Sequence, residues 1–476
     1  MKLTNLSVLF VLALLIQCNS PVTNTYEFTS ISSVDKGIPT NVMLTSYSTT
    51  LIANGEDETR LRIAVIDSAG REITSATNTI QVYLTGEGNI VANDGNDIQI
   101  KQDTLGSDYF DCKLVDGICN LKFTVGKTPG KVKIEIKSEN LWPASHELHT
   151  LPDDFVYMKP SGDQLPPTTK TIDNMIGADI SWLPQLEDEG RVFTDNGLAK
   201  DGIILIRDHG FNYIRLRIFV NPENENGYSP NKGYCGLDQT LEMAKRVKDA
   251  GMKILLDFHY SDYWADPQKQ YKPQAWANLD FETLTDSVKT YTENVILALK
   301  NQGTMPDMVQ IGNEINHGMI WPDGHISNPD GLAKLLKAGV KGVVNIDPNV
   351  PIMMHIALGG LNDESVFWLD NMIARGVKFD IIGISYYPRW HGTLDNLKDN
   401  LNDLVARYNK PINVVEYSWY KREVHDIVFN LPNGMGKGAA IWEPYNWGSR
   451  VVNNGGMTIS DITIYDELNG QYIKDK

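Results

Sequence analysis

A chain of 476 residues is too long for one ordinary domain and points to two or three. Its composition, 42% hydrophobic and 22% charged, is that of a globular protein. A formal net charge of -17 argues against nucleic acid or an anionic membrane surface as a partner, since both call for a basic face.

Lys2 precedes an apolar run over residues 6–16, followed by Gln17-Cys18-Asn19-Ser20. A positive start, a short apolar core and a cysteine form the pattern of a bacterial lipoprotein signal, with residues 1–17 removed and Cys18 lipidated. An ordinary secretory signal is the alternative, because Gln17 replaces the usual small residue. The run is too short to span a membrane, and nothing later reaches about 18 apolar residues. The expectation is an exported protein of the cell envelope, lipid-anchored at the outer membrane or cell surface, with residues 18–40 as a tether.

Residues 41–158 read as strands. Residues 59–67 alternate apolar with polar, the period of a half-buried strand, and residues 80–84 and 131–136 repeat it. Turn signals such as Asn93-Asp94-Gly95 separate them, which suggests an antiparallel, immunoglobulin-like β-sandwich. Without an exposed aromatic platform, its expected role is a spacer. Cys112 and Cys119 flank a short turn and could form a local disulfide or stay as thiols in a strand pair. Residues 159–172 have linker composition.

The period then changes. Over residues 173–476, strand-like and helix-like segments alternate, with strand ends near Asp179, Arg217, His259, Glu314, His355, Tyr387, Glu416 and Glu443. Glycine stop signals follow helical runs at Gly210, Gly251, Gly303 and Gly376. Eight such units fit a (β/α)8 TIM barrel, whose active site lies at the C-terminal strand ends. A doubly wound sheet is the alternative, but no glycine-rich phosphate loop supports it. The catalytic part is therefore expected to be active from about Thr171 onward without the sandwich.

Two strands, residues 307–314 and 411–416, end in Glu314 and Glu416. Two carboxylates facing one pocket are the minimum equipment for cleaving a glycosidic bond. Strands four and seven lie across the barrel, which suits a retaining mechanism. Arg215 and Arg217 share the inward face. Arg215 reads as an ion pair in the barrel floor, and Arg217 as the cation that keeps a nucleophilic carboxylate charged, helped by a tyrosine at 386 or 387. His259 suits a sugar hydroxyl, a carboxylate or a satisfied core position. Trp264, Trp390, Trp442 and Trp447 stand at strand ends, where aromatic faces stack on sugars, and at least two should line the cleft. His259, Asp262 and Asp266, with Pro267 close behind, fit no zinc spacing.

These motifs resemble glycoside hydrolase family 53, the arabinogalactan endo-β-1,4-galactanases. The matching runs are Gly177-Ala178-Asp179-Ile180-Ser181, residues 215–222, residues 257–267, Gln310-Ile311-Gly312-Asn313-Glu314, residues 384–394, Val415-Glu416 and Trp442-Glu443-Pro444. Asn-Glu alone is weak; residues 257–267 and 386–394 are specific. The resemblance implies that Glu314 is the acid/base, Glu416 the nucleophile and Asn313 the partner of the sugar 2-hydroxyl. It implies hydrolysis within β-1,4-galactan, the galactose side chains of pectin, with retention. Asp179, Arg217, His259, Trp264, Tyr386, Trp390, His391 and Trp442 complete the expected substrate contacts. No cofactor is required, and a structural calcium lacks a recognisable acidic ligand cluster. Tyr417-Ser418-Trp419-Tyr420 departs from the family's usual run after the nucleophile. The expected partner is galactan, met by a monomer. Another retaining β-glycanase (a mannanase or glucanase) and a catalytically silent glycan-binding lipoprotein are the alternatives.

Overall fold

The computed structural model describes residues 37–68, 70–92, 99–161 and 167–474. The leader, Cys18, most of the tether, the turn at Asn93-Asp94-Gly95 and part of the linker lie outside these residues.

Among the described residues, ten strands build the first domain: β1 (Asn41–Ser46), β2 (Thr50–Ile52), β3 (Glu58–Ile66), β4 (Ile80–Thr85), β5 (Gly88–Ala92), β6 (Lys101–Gln102), β7 (Asp108–Cys112), β8 (Ile118–Val125), β9 (Gly130–Lys137) and β10 (Ala144–Leu151). They form two sheets, ordered β1-β3-β8-β5 and β2-β10-β9-β4-β7-β6. The period of two decides the faces. In β9, Val132, Ile134 and Ile136 enter the core between the sheets, while Lys131, Lys133 and Glu135 face outward into ion pairs. Cys112 and Cys119 are joined in a disulfide.

Eight parallel strands close the second domain into a barrel. They are β11 (Met175–Asp179), β14 (Tyr213–Ile218), β15 (Lys253–Phe258), β16 (Met308–Ile311), β19 (Ile352–Ile356), β20 (Ile381–Tyr386), β21 (Ile412–Tyr417) and β22 (Gly436–Trp442). Two short hairpins interrupt the count: β12 (Phe193–Asp195) with β13 (Leu198–Lys200), and β17 (Gly318–Met319) with β18 (Gly324–His325). Helices end where the glycine signals fall. Gly210, Gly251, Gly303 and Gly376 all have φ between 75° and 88°, a conformation that glycine adopts without steric cost.

The barrel interior has two levels. Met175, Tyr213, Leu255, Met308, Met353, Ile381, Val415 and Ala440 form an apolar plug. Toward the C-terminal ends the inward residues turn polar: Asp179, Arg215, Asp257, Gln310, His355 and Ser385 are all buried. A packed floor beneath a polar mouth is what confines chemistry to one end of such barrels.

The sandwich is seated on that mouth. Buried Glu364 accepts hydrogen bonds from the backbone N–H of Thr49 (2.9 Å) and Thr50 (3.1 Å) and from Thr50 Oγ1 (2.9 Å). The His149 ring stacks on His317 at 3.7 Å, and its Nδ1 lies 2.8 Å from His325 Nε2. Trp419 Nε1 donates to Ser68 O at 2.9 Å. A spacer would leave the barrel mouth untouched, so these contacts correct that expectation.

Candidate active site

The cleft at the strand ends has a volume of about 450 Å3. Glu314 and Glu416 both line it, with Asn313, Tyr387 and His391. Trp182, Trp264, Trp390, Trp442 and Trp447 supply aromatic walls. Trp182 was missed, although it carries the same signal as the others: an aromatic residue just beyond a barrel strand.

Local backbone geometry aims both glutamates. Gly312 (φ 81°) ends β16, and Glu314 itself sits in the left-handed region (φ 48°, ψ 52°). A non-glycine residue there is uncommon and costs of order 1–3 kcal/mol, a strain typical of functional sites. Glu416 is aimed by a bulge. Ile384 pairs with Val414, but Ser385 pairs with Glu416, so Val415 is the extra residue. Val415 points into the apolar plug, and in a regular strand Glu416 would then face the helices. The bulge brings Glu416 to the mouth as well.

Each carboxylate has its own partners. Glu314 Oε1 accepts from Ser385 Oγ at 2.7 Å, and Ser385 Oγ lies 2.8 Å from His355 Nε2. Glu416 Oε1 is 2.8 Å from Arg215 Nη1, and its Oε2 accepts from Tyr387 Oη at 3.0 Å. Besides this ion pair, Arg215 donates hydrogen bonds to Asp179 Oδ2 (3.0 Å), Asp257 Oδ2 (2.9 Å), Asn313 Oδ1 (2.8 Å) and Gln310 Oε1 (3.2 Å). Asn313 Nδ2 donates to Ala265 O at 2.8 Å, which fixes the amide's orientation.

Burial pushes Glu314 well above the ordinary carboxylate range, and the Glu416 charge pushes it further. Burial raises Glu416 too, but Arg215 and the Tyr387 hydroxyl oppose that rise. Arg215 and the Tyr387 hydroxyl thus favour the charged form of Glu416. In all, the two buried guanidiniums of Arg215 and Arg217 are outnumbered by five buried carboxylates, Asp179, Asp257, Glu314, Glu416 and Glu443. Such an excess is relieved by protonation, and burial lifts Glu443 to about 8.

The structure redistributes several expected contacts. Arg215, not Arg217, is the cation at Glu416. Arg217 pairs with Glu443 Oε1 (2.6 Å) and Asp179 Oδ1 (3.1 Å), and its guanidinium sits 4.4 Å from the Trp264 ring centroid. It therefore supports the tryptophan wall from beneath. Tyr386 is fully buried, with its hydroxyl donating to Gly392 O at 3.1 Å, so the tyrosine at Glu416 is Tyr387. His259 is buried outside the cleft: its Nε2 lies 3.0 Å from Asp257 Oδ2, and its Nδ1 accepts from Ala265 N at 3.2 Å. Asp179 serves the two arginines and Ser181 rather than a ligand. Among the described residues, no group of three or more His, Cys, Asp or Glu is placed to hold a metal. None of their helices is long and apolar enough to cross a membrane.

Residues 175–433 match the family described as Glycosyl hydrolase family 53, and residues 42–147 match Glycoside hydrolase family 2 C-terminal domain 5. A Niallia circulans protein, described as uncharacterized and in the bgaB 5′ region, is 39% identical over 61% of this chain and 90% of its own length. The probable arabinogalactan endo-beta-1,4-galactanase A of Aspergillus tubingensis is 38% identical over 51% of this chain and 70% of its own. Among solved structures, the Ignisphaera aggregans GH53 catalytic domain superposes with a TM-score of 0.58 at 31% identity, covering 63% of this chain and 98% of that one.

Proposed function

Because this chain belongs to glycosyl hydrolase family 53, we propose that it cleaves internal β-1,4-galactosidic bonds of galactan by double displacement. The observation that carries the mechanism is the unequal treatment of two glutamates in one cleft: Arg215 and Tyr387 hold the charge on Glu416, while Glu314 is buried with only a Ser385 hydroxyl on Oε1. The substrate comes from the relatives, whose names specify arabinogalactan endo-β-1,4-galactanase.

In the first step a Glu416 oxygen attacks the anomeric carbon. The bond from that carbon to the departing oxygen breaks, and Glu314 gives that oxygen its proton. A covalent glycosyl ester on Glu416 remains. In the second step Glu314, now charged, takes a proton from water; the water oxygen attacks the same carbon and Glu416 departs. Two inversions give net retention. The tryptophans stack on apolar sugar faces, and Asn313, locked by Arg215 and Ala265, faces the sugar 2-hydroxyl.

The leader points to export, with Cys18 as the lipid anchor, so the substrate is met outside the cytoplasm. The test is reducing-end release from galactan, mannan and glucan side by side. Galactan-specific release supports the proposal, release from another polymer points to a different β-glycanase, and binding without release points to a silent glycan-binding protein.

A further inference from the structure

Four residues lining the cleft belong to the sandwich: Thr49, Ser145, His146 and Glu147. Alternation along β10 explains Ser145 and Glu147, whereas His146 shares the buried phase of Ala144 and Leu148, with its Nδ1 3.0 Å from Ser46 Oγ. Ala144 and Leu148 enter the sandwich core, which leaves Ser145, Glu147 and His149 on the opposite face. His149 docks that face onto the barrel, stacked on His317 and 2.8 Å from His325. With β10 pinned at His149, Ser145 and Glu147 are held over the cleft. Glu147 is itself oriented, with Lys131 Nζ at 2.6 Å and His149 Nε2 at 3.2 Å from its Oε1.

The position of this edge gives it a side. Thr49 Oγ1 lies 3.1 Å from His317 Nε2, and His317 is three residues beyond Glu314 in the segment that leaves β16. His317 Nδ1 in turn lies 2.8 Å from Pro267 O, beside the cleft residues Gln268 and Lys269. The edge formed by Thr49 and His149 thus abuts the Glu314 segment, while the Ser68 edge of the sandwich meets Trp419 beyond Glu416 and Trp182, Trp264 and Trp442 cluster over Arg217. An acid delivers its proton to the oxygen of the departing group, so the space beside Glu314 receives the leaving part of the chain.

We propose that Ser145 and Glu147 form the leaving-group wall of the cleft, so that the sandwich binds hydroxyls of the departing galactan end and helps to set substrate preference and product length. This rests on the reading of Glu314 as the acid. A pre-docked strand suits the role, since polar groups held in place bind sugars at little further ordering cost.

The test compares the full-length protein with Glu147→Ala and Ser145→Trp on two substrates. Linear β-1,4-galactan places sugar on the wall; an aryl β-galactobioside departs as a phenol and does not. In both variants the ratio of kcat/KM on galactan to kcat/KM on the aryl substrate should fall at least tenfold, with altered oligosaccharide lengths from galactan. A structural defect lowers both rates together and leaves the ratio unchanged. Glu147→Ala keeps the test valid if Ser145→Trp fails to fold. An unchanged ratio in a variant that folds overturns the wall. A wild-type protein inactive on both substrates overturns the hydrolase reading itself, and the wall with it.

Discussion

The Tyr387 hydroxyl is the smallest removable part of the machinery around Glu416. Tyr387→Phe deletes one donor at 3.0 Å and keeps the ring, which packs edge-on against Trp447 at 5.7 Å and His391 at 5.6 Å. Both partners are buried, with Tyr387 7% and Glu416 4% exposed, so water does not replace the bond readily. A hydrogen bond to a charged group contributes about 1.5–3 kcal/mol. At about 1.4 kcal/mol per decade, that corresponds to a loss of roughly 10- to 150-fold in kcat/KM. The pH profile should move as well. The hydroxyl donates to the charged carboxylate and so favours it; without it the Glu416 pKa rises. A nucleophile must be ionised, so the acidic limb of kcat/KM shifts to higher pH. The assay is kcat/KM on an aryl galactobioside across pH. A loss below threefold with an unmoved acidic limb would refute the assignment of Tyr387 to the nucleophile.

Deleting residues 1–170 removes the sandwich seat and one wall of the cleft, so galactan hydrolysis should fall at least tenfold; full activity in a folded truncation would show the seat to be dispensable. Acid should loosen the docking of the two domains. Burial holds His317 and His325 near 4, and pushes His149 down as well, with Lys131, Glu147 and Glu364 facing the cluster. The unfolded chain binds more protons between about pH 6.5 and 4, so stability is intact above 6.5 and declines as pH falls through that window. Melting temperatures at pH 7.5 and 4.5 test this, and His325→Gln should flatten the dependence. For the anchor, Cys18→Ala should release the mature protein from membranes; continued membrane fractionation would point to another attachment.

The barrel was legible because its βα units carry their own punctuation: apolar strands with polar ends and, after four of the helices, a glycine that takes positive φ. Glu314 and Glu416 were legible for the same reason, as carboxylates where strands stop. The division of labour between Arg215 and Arg217 was not. Alternation puts both on the inward face, but which one reaches Glu416 depends on strand tilt and on the bulge at Val415, and neither leaves a mark in the local pattern. The tyrosine at Glu416 was narrowed to 386 or 387, and the turn into residues 388–391 decides it by swinging Tyr387 into the cleft. Ser145 and Glu147 were invisible as site residues. Their segment carried no signal of a site, and only the docking of His149 turns their face of β10 toward the barrel.

The central claim is that Glu314 is the acid/base and Glu416 the nucleophile, and azide trapping tests it most directly. Glu314→Ala should still form the covalent intermediate from an activated aryl galactobioside, since a good leaving group needs no proton. Azide, which needs no base, should then restore turnover and give the β-galactosyl azide. Glu416→Ala has no carboxylate to form the intermediate, so azide should attack directly and give the α-azide. Proton NMR distinguishes the two products. The account predicts β from the Glu314 variant and α from the Glu416 variant; the opposite pairing, or a loss of activity under about tenfold in both variants, contradicts it.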